Sequence, residues 1–166
     1  MKNYKILILG ALIVFNLNSF SQSLLPTANI EGGYNSGFTG KVGIGFTTMN
    51  WGDQGDFSDF MDDLAAPAIG GNLQYKINRI NKETFQGPNL QLFASFLGLL
   101  RVGVNGSYLF NNGNSMFIFE PEIGITAFTI ITIKYTYNLT NTNGFFPDIY
   151  KKSGILLSLD IPILVW

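Results

Sequence analysis

Two glutamates, Glu120 and Glu122, stand two positions apart in a stretch that alternates between polar and apolar side chains. In an extended strand such a pair shares one face, and two carboxylates on one face have the makings of a general acid and a general base. Glu31 and Asp160 hold the polar parity of their own stretches, and so do Lys41, Lys76, Arg101 and Lys134. Acids and bases on this parity balance. Gathered in one interior they could form an ion path or an acid–base site, or they could cancel one another as a salt-bridged plug. An isolated buried ion costs several kcal/mol, so buried charges are found in pairs. Each acid here has a base to meet, and the plug is the better reading. The eight residues are therefore expected to form a structural charge network, with no catalytic or metal-binding role.

The chain has no histidine and no cysteine. That removes Ser-His-Asp catalysis, His-based zinc sites, thiol nucleophiles and thiolate metal ligands. No phosphate-binding loop of the G-x-x-x-x-G-K-S/T kind is present, and Gly43-Ile44-Gly45 lies inside a strand pattern where close packing explains it. Asp53, Asp56, Asp59, Asp62 and Asp63 cluster without a base among them. They lack the order of a calcium loop and its closing glutamate, so a solvated acidic segment is expected. No cofactor is called for. Eleven acids against ten bases leave no electrostatic case for nucleic acid.

These side chains must be positioned by strands. From Leu99 to Leu139 the apolar parity runs through Leu100, Val102, Val104, Tyr108 and Phe110, then Phe117, Phe119, Ile123 and Ile125, then Ile131, Ile133, Tyr135 and Tyr137. The other parity holds Arg101, Asn105, Ser107, Glu120, Glu122, Thr132, Lys134 and Thr136. Period-2 alternation of this extent predicts strands with one apolar and one polar face. Similar patterns predict strands near 28–35, 38–50, 69–77, 89–97 and 152–165, making eight. The expected fold is all-β: a closed, antiparallel, up-and-down transmembrane barrel with charges inside and aliphatics in lipid.

Folding about Ser36 places Glu31 opposite Lys41, folding about Gly98 places Arg101 near Ser95, and folding about Phe128 places Glu122 opposite Lys134. Loops are expected at 78–88, 111–115 and 140–148 on one end, with tight turns at 98 and 128 on the other. The segment 51–67 breaks that scheme. Phe57, Phe60, Met61 and Leu64 recur at helical spacing, predicting a short amphipathic helix over 57–65. Either it is an interfacial helix on the short-turn end or the first two strands are differently placed. Tyr34, Trp51, Tyr75, Tyr108, Phe110, Phe117, Tyr135 and Tyr137 fall near strand ends, as an interfacial girdle would.

Residues 1–21 read as a signal peptide: Lys2 and Lys5, an apolar run from Ile6 to Phe15, then small Ser19 and Ser21 before Gln22. That run falls short of the roughly 20 residues of a spanning helix. Residues 22–166 would form the exported barrel domain. Charged residues make up only 13% of the chain, against about 25% in soluble domains, as suits an outer face that never meets water.

In architecture the chain resembles the small eight-stranded outer-membrane barrels, the class of OmpX and the OmpA membrane domain, over about residues 28–166. The stretches Phe119-Glu120-Pro121-Glu122-Ile123-Gly124 and Tyr135-Thr136-Tyr137-Asn138, with Ser-Phe-Ser before Gln22, look like small barrels of Bacteroidota. The resemblance implies outer-membrane lipid and the outer-membrane assembly machinery as partners, with Trp166 as the terminal aromatic assembly signal. Counting back by twos from Trp166 meets Leu164, Pro162, Asp160 and Ser158, which is not the apolar parity; a bulge at Pro162 would restore the phase, and the assembly-signal reading depends on one. The function expected is non-enzymatic, structural or surface-interacting through the loops. The alternative is a soluble periplasmic barrel with the aliphatic parity inside, binding an apolar ligand. A lipid-modifying barrel enzyme using Glu120 or Glu122 ranks third.

Overall fold

The alternation closes into a ring. In the computed structural model, which describes residues 23–35, 37–49, 67–80, 82–127, 130–140 and 153–163, eight strands run antiparallel in chain order. They are β1 (Ser23–Asn35), β2 (Phe38–Met49), β3 (Ala68–Ile80), β4 (Glu83–Phe96), β5 (Leu100–Asn111), β6 (Asn114–Ala127), β7 (Ile131–Tyr137) and β8 (Ser153–Pro162). Each pairs with its chain neighbour, and β1 pairs with β8 from Thr27↔Pro162 to Asn35↔Gly154, which closes the barrel. A closed sheet leaves no row of unpaired N–H and C=O groups, the condition for backbone to reside in lipid.

Burial follows the period. Outward residues include Ile30, Val42, Ile44, Leu73, Leu92, Ile123, Ile133 and Leu157, all exposed, while the buried side chains are mostly polar or charged. This is the inverse of a soluble protein. The inverted alternative, with aliphatics lining the interior, is not the arrangement adopted.

Two expected loops are strand instead. β3 continues to Ile80 and β4 starts at Glu83, paired Ile80↔Glu83 and Asn78↔Phe85, so 78–88 is not a polar loop. The cause is a reversal of the pattern at this end: Ile80 and Phe85 point inward and are buried, whereas Arg79 and Thr84 point outward and are exposed. Polar density there marks strand leaving the apolar belt. The expected loop at 111–115 shrinks to Asn112-Gly113, whose φ values of 45° and 89° make a two-residue hairpin turn, with Asn111 and Asn114 paired on either side. Of the expected long connections at this end, only the one after Tyr137 remains. β1 is also longer than expected, starting at Ser23.

The ladder between β1 and β8 runs without interruption to Pro162, and Ile163 N–H continues it to the Pro26 carbonyl at 2.8 Å. The expected bulge at Pro162 is therefore absent. The leader at 1–21, the helix at 57–65, the acidic cluster at 53–63 and Trp166 lie outside the described residues.

Strand proximity inside the ring leaves some positions without space for a side chain. A Cβ on Gly43 would stand 2.1 Å from the Leu73 carbonyl oxygen and 2.6 Å from the Gln74 Cα, both backbone atoms of the adjacent strand. A Cβ on Gly32 would meet nothing within 4 Å. Gly43→Ala is expected to lower stability by at least about 2 kcal/mol in a urea titration of the folded barrel in detergent, through overpacking. Gly32→Ala should leave the midpoint unchanged or raised; equal effects would contradict this packing.

Candidate functional site

The register decides which polar side chains meet. Glu31 on β1 lies across from Lys41 on β2, and their charged groups are 2.9 Å apart. The second oxygen of Glu31 takes Lys134 of β7 at 2.5 Å, and Lys134 also reaches Glu122 of β6 at 3.3 Å. Further toward the Ile80 end, Lys76 of β3 pairs with Glu120 of β6 at 2.7 Å. Toward the chain termini, Arg101 of β5 pairs with Asp160 of β8 at 2.5 Å. None of these eight residues is more than 6% exposed. Ion pairs in a dry interior hold only where remaining lone pairs and N–H groups find partners.

Amides supply those partners. Gln91 Nε2 donates to Glu31 at 3.1 Å and to Glu122 at 2.8 Å, while its Oε1 accepts from Asn72 at 2.6 Å. Asn105 Nδ2 donates to the other Glu122 oxygen at 2.5 Å, and Asn105 Oδ1 accepts from Lys41 at 3.3 Å. Asn35 Nδ2 donates to Glu120, and Gln74 Nε2 to Asn29 and Glu31. Asn29 and Asn72 both donate to Asp160, at 2.6 and 3.2 Å. Many of these bonds join strands that are not neighbours, as β1 to β6, β4 to β1 and β5 to β8. They cross the barrel, so side chains occupy its axis.

Register also corrects one expected pairing. Glu122 stands across from Thr136, and Lys134 from Gly124, because the β6–β7 hairpin is shifted so that Ala127 meets Ile131. Lys134 therefore reaches Glu122 diagonally and gives its shorter contact to Glu31 across the β8 side. Ser95 does stand across from Arg101.

Both carboxylates of the Glu120/Glu122 pair have their oxygens engaged: Glu120 by Lys76 and Asn35, Glu122 by Gln91, Asn105 and Lys134. Both are buried. Among the described residues no group of three or more His, Cys, Asp or Glu could hold a metal ion.

Two features at the ends of the network escape a reading of parity alone. Phe93 breaks the polar pattern of β4, yet it is buried with the Arg101 guanidinium carbon 3.4 Å from its ring centroid. A cation over an aromatic face in a desolvated site is attractive by about 2 kcal/mol. Gly70 and Gly103 flank Phe93 on the adjacent strands, and a Cβ at Gly70 would fall 2.2 Å from its ring. The sequence signal is this pair of glycines, visible only once register is known. At the other end Ile80, Phe85, Leu109 and Ile118 form a buried apolar cluster, with Met116 packed on it. Interleaved charges and amides, with an apolar cluster at the Ile80 end, thus fill the lumen.

The exposed apolar outer surface and the buried charged interior make this a barrel of the kind a membrane accommodates. A scan of protein-family models finds no match, and neither a curated protein nor a solved structure matches the chain.

Glu31 serves two lysines, whereas Lys134 keeps Glu31 when Glu122 is neutralised. Glu31→Gln is expected to cost about 3–5 kcal/mol, the penalty of leaving buried charge uncompensated, and Glu122→Gln distinctly less. Denaturant titrations of the refolded variants measure both; the reverse order would contradict the assignment of Glu31 as the shared acceptor.

Proposed function

We propose that this protein is an outer-membrane β-barrel with a structural, non-enzymatic role, exported through residues 1–21 and inserted by the outer-membrane assembly machinery. The observation that carries the reading is the inversion of burial. Every charged residue described between the two rims is inside, and most of the large aliphatics are outside. Water would penalise such a surface, which exceeds by far the apolar patches of soluble proteins, while hydrocarbon would not. Engagement of all four lumen carboxylates supports a role in holding the barrel together over one in acid–base chemistry. The filled axis supports a closed lumen.

Surface interaction then falls to the polar rim: the turns at Lys82 and Asn112-Gly113 and the connection between β7 and β8. The turns are short, which makes a broad loop-borne binding surface smaller than eight strands of this kind usually present.

Expressed with its leader, the protein is expected in the outer-membrane fraction, migrating differently in gels before and after boiling. In planar bilayers it should give no unitary conductance. Recovery from the soluble periplasmic fraction without a heat-dependent shift would overturn the membrane reading, and steady conductance would overturn the closed lumen.

A further inference from the structure

Among the described residues the two ends of the barrel differ in chemistry; the acidic segment 51–67, which joins β2 to β3, lies almost wholly outside them. All exposed charged residues among those described, Arg79, Lys82 and Glu83, lie at the β3–β4 turn, on the same rim as Asn112 and Gly113. The opposite rim, which bears the chain termini, exposes Leu24, Leu97, Leu99, Ile125, Ile131 and Ile163. Its β4–β5 turn reads Phe96-Leu97-Gly98-Leu99-Leu100, with Leu97 74% and Leu99 63% exposed. Leu97 has φ 54°, a left-handed conformation that a branched aliphatic rarely adopts and that Asn or Gly would fill more cheaply in a water-facing turn. The turn is closed by Leu99 N–H to the Phe96 carbonyl at 3.1 Å and tied to β6 by Thr126 N–H to the Leu99 carbonyl at 2.8 Å. Its leucines are thus held outward by fixed backbone.

The exterior also supplies a depth scale. Tyr34 stands across from Phe38 and Tyr108 across from Phe117, all four exposed near the polar rim. Aromatic side chains collect at the membrane–water boundary. From Tyr108 to Gly98 the chain covers roughly ten residues, about 33 Å along a strand and about 25 Å along the axis at a tilt of about 40°. That is the height of the apolar band of a membrane barrel, about 25 Å. With the aromatic level at one boundary, the leucine turn falls at the far edge of the apolar band, where Leu97 and Leu99 are within reach of the acyl chains.

We propose that the Phe96–Leu100 turn is immersed in lipid, packing Leu97 and Leu99 against the acyl chains of the leaflet on the side of the chain termini. It thereby fixes how deeply the barrel sits. The inference rests on the membrane reading above, and lipid is the occupant because the turn continues the lipid-facing belt of Leu92, Phe96, Leu100 and Ile125 without a polar break.

The chain has no cysteine, so Leu97→Cys and, at the opposite rim, Asn112→Cys give unique sites for an environment-sensitive fluorophore. Leu99→Cys, whose backbone is not left-handed, gives the same reading if the Leu97 variant does not fold. In phosphatidylcholine vesicles the label at 97 or 99 should emit to the blue, be quenched by doxyl groups on the acyl chains and resist iodide, with the label at 112 behaving oppositely. Quenching at 97 and 99 by iodide alone, in a barrel that retains its heat-dependent gel shift, would overturn the immersed turn and leave the membrane reading intact. Protection from both quenchers would also overturn it, in favour of a protein contact. Failure of the unlabelled chain to enter vesicles would overturn both.

Discussion

One carboxylate ties most of this barrel together. Glu31, on β1, is met by Lys41 of β2, Gln74 of β3, Gln91 of β4, Lys134 of β7 and Ser158 of β8. Through Lys134 and Gln91 it is linked to Glu122 of β6, and through Lys41 to Asn105 of β5. A narrow barrel has no room for bulk water around such groups, so each interaction is made at low dielectric and each loss leaves a partner stranded. The charge network is therefore less a source of net stability than a specification. Only one strand register brings these partners together, since a slip of one residue would turn the whole set outward into the apolar surroundings.

The same side-chain types serve different ends on the two faces. Ile133 and Leu157 are exposed on the belt, while Ile118, Leu109 and Leu156 are buried within the lumen. In a membrane, outward aliphatics would gain nothing from one another and would only avoid presenting polar atoms to hydrocarbon. Of the inward ones, Leu109 and Ile118 seal the Ile80 end of the polar column by packing. Glycine serves where two strands approach too closely for a side chain, at Gly43 against Leu73, or where a large inward ring must be accommodated, at Gly70 beside Phe93. Shape and charge are thus adjusted together.

The architecture was legible from period alone, because eight alternating stretches with charges confined to one parity admit few folds. Local hairpins with compact turns were legible too: Glu31 falls across from Lys41 and Ser95 across from Arg101. What eluded the sequence lies where a single rule changes meaning along a strand. Polar residues from Asn78 to Gln86 look like loop, yet the strands there have left the apolar belt, so Arg79 and Thr84 face out and Ile80 and Phe85 face in. Glu122 was placed two residues from its true cross-strand partner because turn length between β6 and β7 is not fixed by alternation. Phe93 breaks the alternation of β4, and only register sets glycine on either side of it. The contacts that cross the lumen join strands far apart in the chain, and no local pattern encodes them.

Whether outward aliphatics touch lipid while inward ones do not can be measured without altering a residue. In lipid nanodiscs, magnetisation transfer from acyl-chain methylenes to protein methyl groups reports direct contact. Transfer is expected to Val42, Ile44, Leu73, Ile133 and Leu157, and not to Ile80, Leu109, Ile118 or Leu156. Transfer from water to the first set, or from lipid to the second, would contradict the membrane reading.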